Sequence, residues 1–90
     1  MNINENIKNI LKILNNIKNE ELYQDDKLII NDTYEKVTEI LDENAIDKEN
    51  LDLINENIKY LDIKYNDLFD LVNYYDPIYI HYNKILHERY

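Results

Sequence analysis

LDLINENIKYLDIKYNDLFDLVNYY, residues 51–75, decides the fold. Its apolar residues Leu51, Ile54, Ile58, Leu61, Tyr65, Leu68, Val72 and Tyr75 recur every three or four positions. That rhythm draws one stripe along an α-helix, whereas a strand alternates its faces every second residue. Unbroken from Asp47, such a helix would run about 42 Å, long for a chain of this size. A bend or break is therefore expected near residues 62–67, where Asn66-Asp67 offers a new N-cap. Leu53, Tyr60 and Ile63 lie off the main stripe. A straight helix would leave them in water, and a monomer seldom exposes a large apolar patch. The expectation is that a bend buries them or that a second chain covers them.

Upstream, the spacing predicts a first helix from about Ile3 to Leu22. Asn2 with Glu5 forms a capping box, and Ile3, Ile7, Ile10, Leu14 and Ile17 form the stripe. Leu11 and Ile13 widen it, as suits a helix packed on two neighbours. Gln24-Asp25-Asp26 reads as a turn. Leu28-Ile29-Ile30 is a short apolar run with no second strand-like run to pair with, so a buried connector or an early helical turn is expected. A second helix is predicted from about Thr33 to Asn44, capped by Asp32 with Glu35, its apolar face made of Tyr34, Val37, Ile40 and Leu41. The third starts at Asp47, with Ile46 and Leu51 as a hydrophobic staple. The fourth is predicted from Pro77 to about Glu88, with Asp76 as cap, Pro77 in the first turn and Tyr75 with Ile80 as a staple. The fold expected is all-α: one domain over residues 1–90, a small antiparallel bundle of three to four helices with the third long or bent.

Composition narrows the chemistry. The 90 residues contain no Gly and no Cys. Without Cys there is neither a disulfide nor a thiolate metal site. Phosphate-cradling loops and nucleophile elbows need a residue that tolerates positive φ, normally Gly. The sequence also lacks Ser and Trp, and the abundance of Asn, Ile, Lys and Tyr reads as the codon signature of an AT-rich genome. The opening residues are polar and no apolar run reaches the length of a membrane span, so the expected location is the cytoplasm of a bacterial host.

Candidate catalytic and metal sites are weak. His81 and His87 are six residues apart, whereas a helical metal pair needs three or four. Thr33 and Thr38 have no histidine near them in sequence to activate a hydroxyl. Carboxylates abound, but at surface spacing and without an obvious cleft to separate their proton affinities. No enzyme activity, cofactor or metal is expected.

Charge is the remaining signal. The formal net charge is −9, and the acids concentrate between residues 20 and 76. Phosphate binding needs clustered Lys and Arg, so nucleic acid is not expected as a direct ligand. Asp32, Glu35, Glu39 and Asp42 repeat at helical spacing on the second helix, and Glu49, Asp52 and Glu56 on the third. They read either as a solvated face or as a surface for a basic protein. Tyrosine is enriched toward the C-terminus, and its large rigid area suits recognition. Genome bias absorbed by the core explains Tyr65, Tyr75 and Tyr82. Tyr60, Tyr74 and Tyr79 are candidates for a contact patch beside the acidic ridge.

The function expected is non-enzymatic protein binding: occlusion of a basic, nucleic-acid-binding surface on another protein, such as a nucleoprotein effector. In style the chain is similar to phage and mobile-element inhibitors, including anti-CRISPR proteins and other DNA mimics, which implies such a partner. Leu71-Val72-Asn73-Tyr74-Tyr75 within antiparallel helices resembles bacteriocin-immunity bundles, from which the acidic charge and short C-terminal segment depart. A self-associating structural or regulatory bundle, forming a homodimer, is the further alternative.

Overall fold

Isoleucine and leucine at three-four spacing give each helix one buried side, and these sides close around a common core. The structure, a computed structural model, describes residues 2–41, 46–65 and 70–89. In chain order it contains α1 (Ile3–Ile17), a 3-10 helix (Glu21–Asp26), α2 (Lys27–Glu39), α3 (Lys48–Lys64) and α4 (Leu71–Arg89). Each α-helix packs on the next, and α4 returns to pack on α1. α3 and α4 run antiparallel, with Lys48 at the start of α3 meeting Asn83 late in α4 and Asp62 late in α3 meeting Val72 at the start of α4, and so do α2 and α3, where Asp32 meets Asn57 and Glu39 meets Asn50. Among the described residues there is no strand. The expected all-α antiparallel bundle is the fold that forms.

α1 begins as predicted, with the Asn2 side chain accepting from the Glu5 N–H at 3.3 Å. It buries Ile7, Ile10, Leu14 and Ile17. Burying each such side chain contributes about 1.5–3 kcal/mol. Asn4, Asn6, Asn9, Asn15 and Asn16 each cost at most about 0.7 kcal/mol as helix formers, so the stripe wins. The helix stops at Ile17, not Leu22. Beyond Ile17 the stripe would continue at Glu20 or Glu21, which leaves nothing apolar to bury. The chain turns extended at Glu20 (φ −85°, ψ 135°) and Leu22 stays in water.

α2 corrects the expected boundaries. It begins at Lys27, six residues before Thr33, so Leu28-Ile29-Ile30 is its first turn and Asp32 lies inside the helix. The buried line is Ile30, Thr33, Val37 and Ile40. Thr33 can hold a core position because its hydroxyl donates to the Ile29 carbonyl at 2.7 Å. Reading Thr33 as a polar helix start hid this line. Leu41, expected on the apolar face, is exposed.

α3 starts at its predicted cap, with Asp47 accepting from the Asn50 N–H at 2.8 Å. It buries Leu51, Ile54, Ile58 and Leu61 and ends at Lys64, so the break falls where expected. The Asn66-Asp67 cap and Leu68 lie outside the described residues. The break does not bury the off-stripe set: Leu53 is 37% exposed, Tyr60 42% and Ile63 77%.

α4 is the largest correction. It starts at Leu71, so Asp76 is not its cap, Pro77 is internal, and Tyr75 and Ile80 form no staple. Tyr75 is fully buried and Ile80 is exposed. The true start is stabilised from another helix: the Asp62 carboxylate accepts from the Val72 N–H at 2.9 Å. A remote acid at a helix N-terminus satisfies a free donor and opposes the helix dipole. Asp70, just before the helix, sits in the left-handed region at φ 53°. Pro77 lacks the N–H that would bond the Asn73 carbonyl. Pro77→Ala should therefore raise stability by about 1–3 kcal/mol. Chemical denaturation checks this, and a lower midpoint in the variant would contradict it.

Candidate functional site

The acidic residues fall into two groups, those engaged in ion pairs and those in none, and of the first only Asp26 is buried, the Asp32 and Asp52 side chains being 45% exposed. Three ion pairs appear among the described residues, made by Asp26, Asp32 and Asp52. Glu35, Glu39, Glu49 and Glu56 take part in none of them and are exposed.

The deepest internal cluster surrounds Asp26, which the sequence suggested was part of an open turn. The 3-10 helix delivers it against the end of α3, where it is buried. It accepts from Tyr60 Oη at 2.8 Å, from Lys64 Nζ at 2.7 Å and from the Tyr65 hydroxyl. Tyr65 also meets Tyr23 edge-on, with ring centroids 4.8 Å apart. Burial alone would raise the Asp26 carboxyl, but the hydrogen bonds from Lys64, Tyr65 and Tyr60 outweigh it and hold the group below its ordinary value. Burial, then the bond to Asp26, pushes the Tyr65 hydroxyl up to about 12. The bond to Asp26 also holds Lys64 above its ordinary value. This arrangement is a structural clasp. The one signal for it in sequence is that Tyr60, Lys64 and Tyr65 crowd the end of α3, and nothing in the spacing names Asp26 as their acceptor.

A second cluster joins α2 to α3. Asp32 accepts from Lys36 at 2.7 Å and from Asn57 at 3.1 Å, and Glu39 accepts from Asn50 at 3.3 Å. The Lys36 bond is the main reason Asp32 lies below its ordinary value. The third joins α3 to α4. Tyr79 donates to Asp52 at 2.5 Å, and Lys48 reaches Asn83 at 2.7 Å, Asp52 at 3.1 Å and the Tyr79 hydroxyl at 3.2 Å. Here the hydrogen bond from Tyr79, then that from Lys48, depresses Asp52.

These contacts place the candidate residues. Asn50 and Asn57 face α2, whereas Lys48 and Asp52 face α4, so Asp52 sits on the opposite flank of α3 from Asp32 and Glu39. Glu35 and Glu39 on α2 and Glu49 and Glu56 on α3 project outward from adjoining helices. Asp42 lies outside the described residues. Tyr60 is tied to Asp26 on the α2 side, and Tyr79 to Asp52 on the α4 side. Tyr74, five residues before Tyr79 and so about 140° around α4, packs partly buried against the core. The structure thus keeps the three tyrosines apart.

His81 and His87 are both exposed, and His81 packs edge-on against Tyr82 at 5.0 Å. Among the described residues no group of His, Asp and Glu is arranged to hold a metal ion, and no described helix is long and apolar enough to cross a membrane. No family model matches the chain, and neither a curated protein nor a solved structure matches it.

Proposed function

We propose that the protein is a non-enzymatic acidic binding module that occludes a basic, nucleic-acid-binding surface of another protein. The observation that supports this reading is the division of the carboxylates. Asp26, Asp32 and Asp52 are engaged in ion pairs, while Glu35, Glu39, Glu49 and Glu56 take part in none of these and stand exposed on two adjoining helices. Like charges a helical turn apart repel by a few tenths of a kcal/mol, a cost that binding to a cationic surface would remove. Rigid helices hold such carboxylates in a fixed array, and a net charge of −9 would speed encounter with a basic partner. A phage or mobile-element inhibitor acting in a bacterial cytoplasm is the biological setting this chemistry suits.

Affinity capture from the native host, followed by elution with duplex DNA, tests the proposal. A basic nucleic-acid-binding protein should be retained, and DNA should displace it. Glu35→Lys with Glu39→Lys should slow association more than dissociation and flatten the salt dependence, since exposed charges are screened beyond about 8–10 Å. A bound protein that nucleic acid does not displace, with affinity and salt dependence unchanged in the double reversal, would rule the reading out.

A further inference from the structure

A second stripe runs along α3 on the side away from the core. Glu49, Leu53, Glu56, Tyr60 and Ile63 follow one another at alternating steps of four and three residues, and all are exposed. At about 100° per residue this line lies nearly opposite the buried stripe. Alternation of four and three is a 3.5-residue period, the spacing with which one helix receives another at a shallow left-handed crossing. An outward face with that period has the spacing of a helix–helix seam. Its N-terminal half is acidic, through Glu49 and Glu56, and its last turns present Tyr60 and Ile63, the latter 77% exposed, between the exposed Lys59 and Lys64.

Tyr60 is held ready. Its hydroxyl donates to the buried Asp26 at 2.8 Å, and Lys64 Nζ stands 5.7 Å from its ring. Side-chain ordering is a cost of association, and an aromatic fixed beforehand avoids much of it.

Charge selects the occupant. A second copy laid antiparallel on this seam would set Glu56 against Glu56 at its centre, and a parallel copy would oppose both glutamates to themselves. These like charges, and the net charge of −9 that each copy carries, act against self-pairing. A helix that carries Lys or Arg beside the apolar positions facing the N-terminal half of the seam meets carboxylates instead, and Glu35 and Glu39 on the adjoining α2 extend the same field. Resting on the acidic-module reading above, we infer that the outer face of α3 docks a basic amphipathic helix of the partner. Leu53, Tyr60 and Ile63 are its apolar anchors, and Glu49 and Glu56 set the charge preference.

The test titrates the isotope-labelled full chain with a synthetic helical peptide of about three heptads, Leu at its a and d positions and Lys at the flanking ones. A control peptide carries Glu in place of Lys. The basic peptide should bind saturably, with NMR shift changes centred on the outer positions of α3, and the acidic peptide should not. Leu53→Ser with Ile63→Ser, both at exposed positions, should weaken binding about tenfold or more. Glu56→Lys should narrow the preference for the basic peptide. No saturable binding, equal affinity for both peptides, or shifts centred on another helix would overturn the inference. So would a dimer of the isolated chain that the serine variant dissociates. If the peptide fails while DNA still displaces a captured basic protein, only the helix-docking mode falls. If the peptide binds while DNA displaces nothing, the nucleic-acid-surface reading falls instead.

Discussion

Tyr75→Ala should remove about 3–5 kcal/mol of stability, the largest single loss expected in this bundle. Tyr75 is fully buried, and its hydroxyl donates to the Leu51 carbonyl at 2.7 Å. Truncation therefore opens a ring-sized cavity and removes a buried hydrogen bond that links α4 to α3. Tyr75→Phe keeps the packing and loses only the bond, so it should cost about 1 kcal/mol. Domains of this kind have about 5–15 kcal/mol in total, so the alanine variant should be partly unfolded at moderate denaturant, where the phenylalanine variant stays folded. Equal losses for the two variants would mean that the ring itself contributes nothing.

Asp26→Ala should cost roughly 3 kcal/mol, because it leaves the Tyr65 and Tyr60 hydroxyls and the Lys64 ammonium without their common acceptor. The effect has a pH signature. In the native state Asp26 lies below the unfolded value of about 3.9, so its contribution is present above about pH 4 and is lost as the pH falls through the native value. Asp26→Asn should therefore reduce the slope of stability against pH in the acid range. It should not abolish that slope, since Asp32 and Asp52 are depressed as well. At the other extreme, Tyr65 and Lys64 are raised. Their contributions are present below about pH 10 and fade as the pH climbs toward and beyond about 12. Urea midpoints across the pH range measure both arms. An acid slope identical in the wild-type protein and Asp26→Asn would show that the clasp does not couple to folding.

The parts legible in sequence are those governed by local period and local caps. The α1 and α3 stripes, the caps at Asn2 and Asp47 and the break after Lys64 follow from spacing alone. What escaped depends on contacts between distant segments. Asp76-Pro77 carries every local mark of a helix start, yet Asp62 caps Val72 from ten residues upstream and the helix begins at Leu71. Tertiary capping and the buried Tyr75 override a proline that costs about 3 kcal/mol at most positions inside a helix. The same holds for α2, where Thr33 satisfies its hydroxyl within the helix and frees Ile30 to extend the core. Asp26 was hidden for the opposite reason. An acid in Gln24-Asp25-Asp26 has the look of a solvated turn, and only the fold brings Tyr60, Lys64 and Tyr65 around it. Of the candidate partner-binding acids, Glu35, Glu39, Glu49 and Glu56 are exposed, but helical spacing could not say that Asp52 would be drawn toward α4 and engaged there by Tyr79 and Lys48.

The packing of α4 on α1 has a consequence for biosynthesis. A ribosome releases α1 first and α4 last, so Ile7, Ile10 and Leu14 leave the exit tunnel long before the helix that completes their enclosure. Until α4 is made, the nascent chain holds an open apolar trough along its first helix, with α2 covering one wall only. Closing that trough late brings together segments separated by most of the chain, a step slower than any neighbouring helix pairing. Chaperone engagement during translation, and toxicity of chains truncated before Leu71, are where this ordering would be felt.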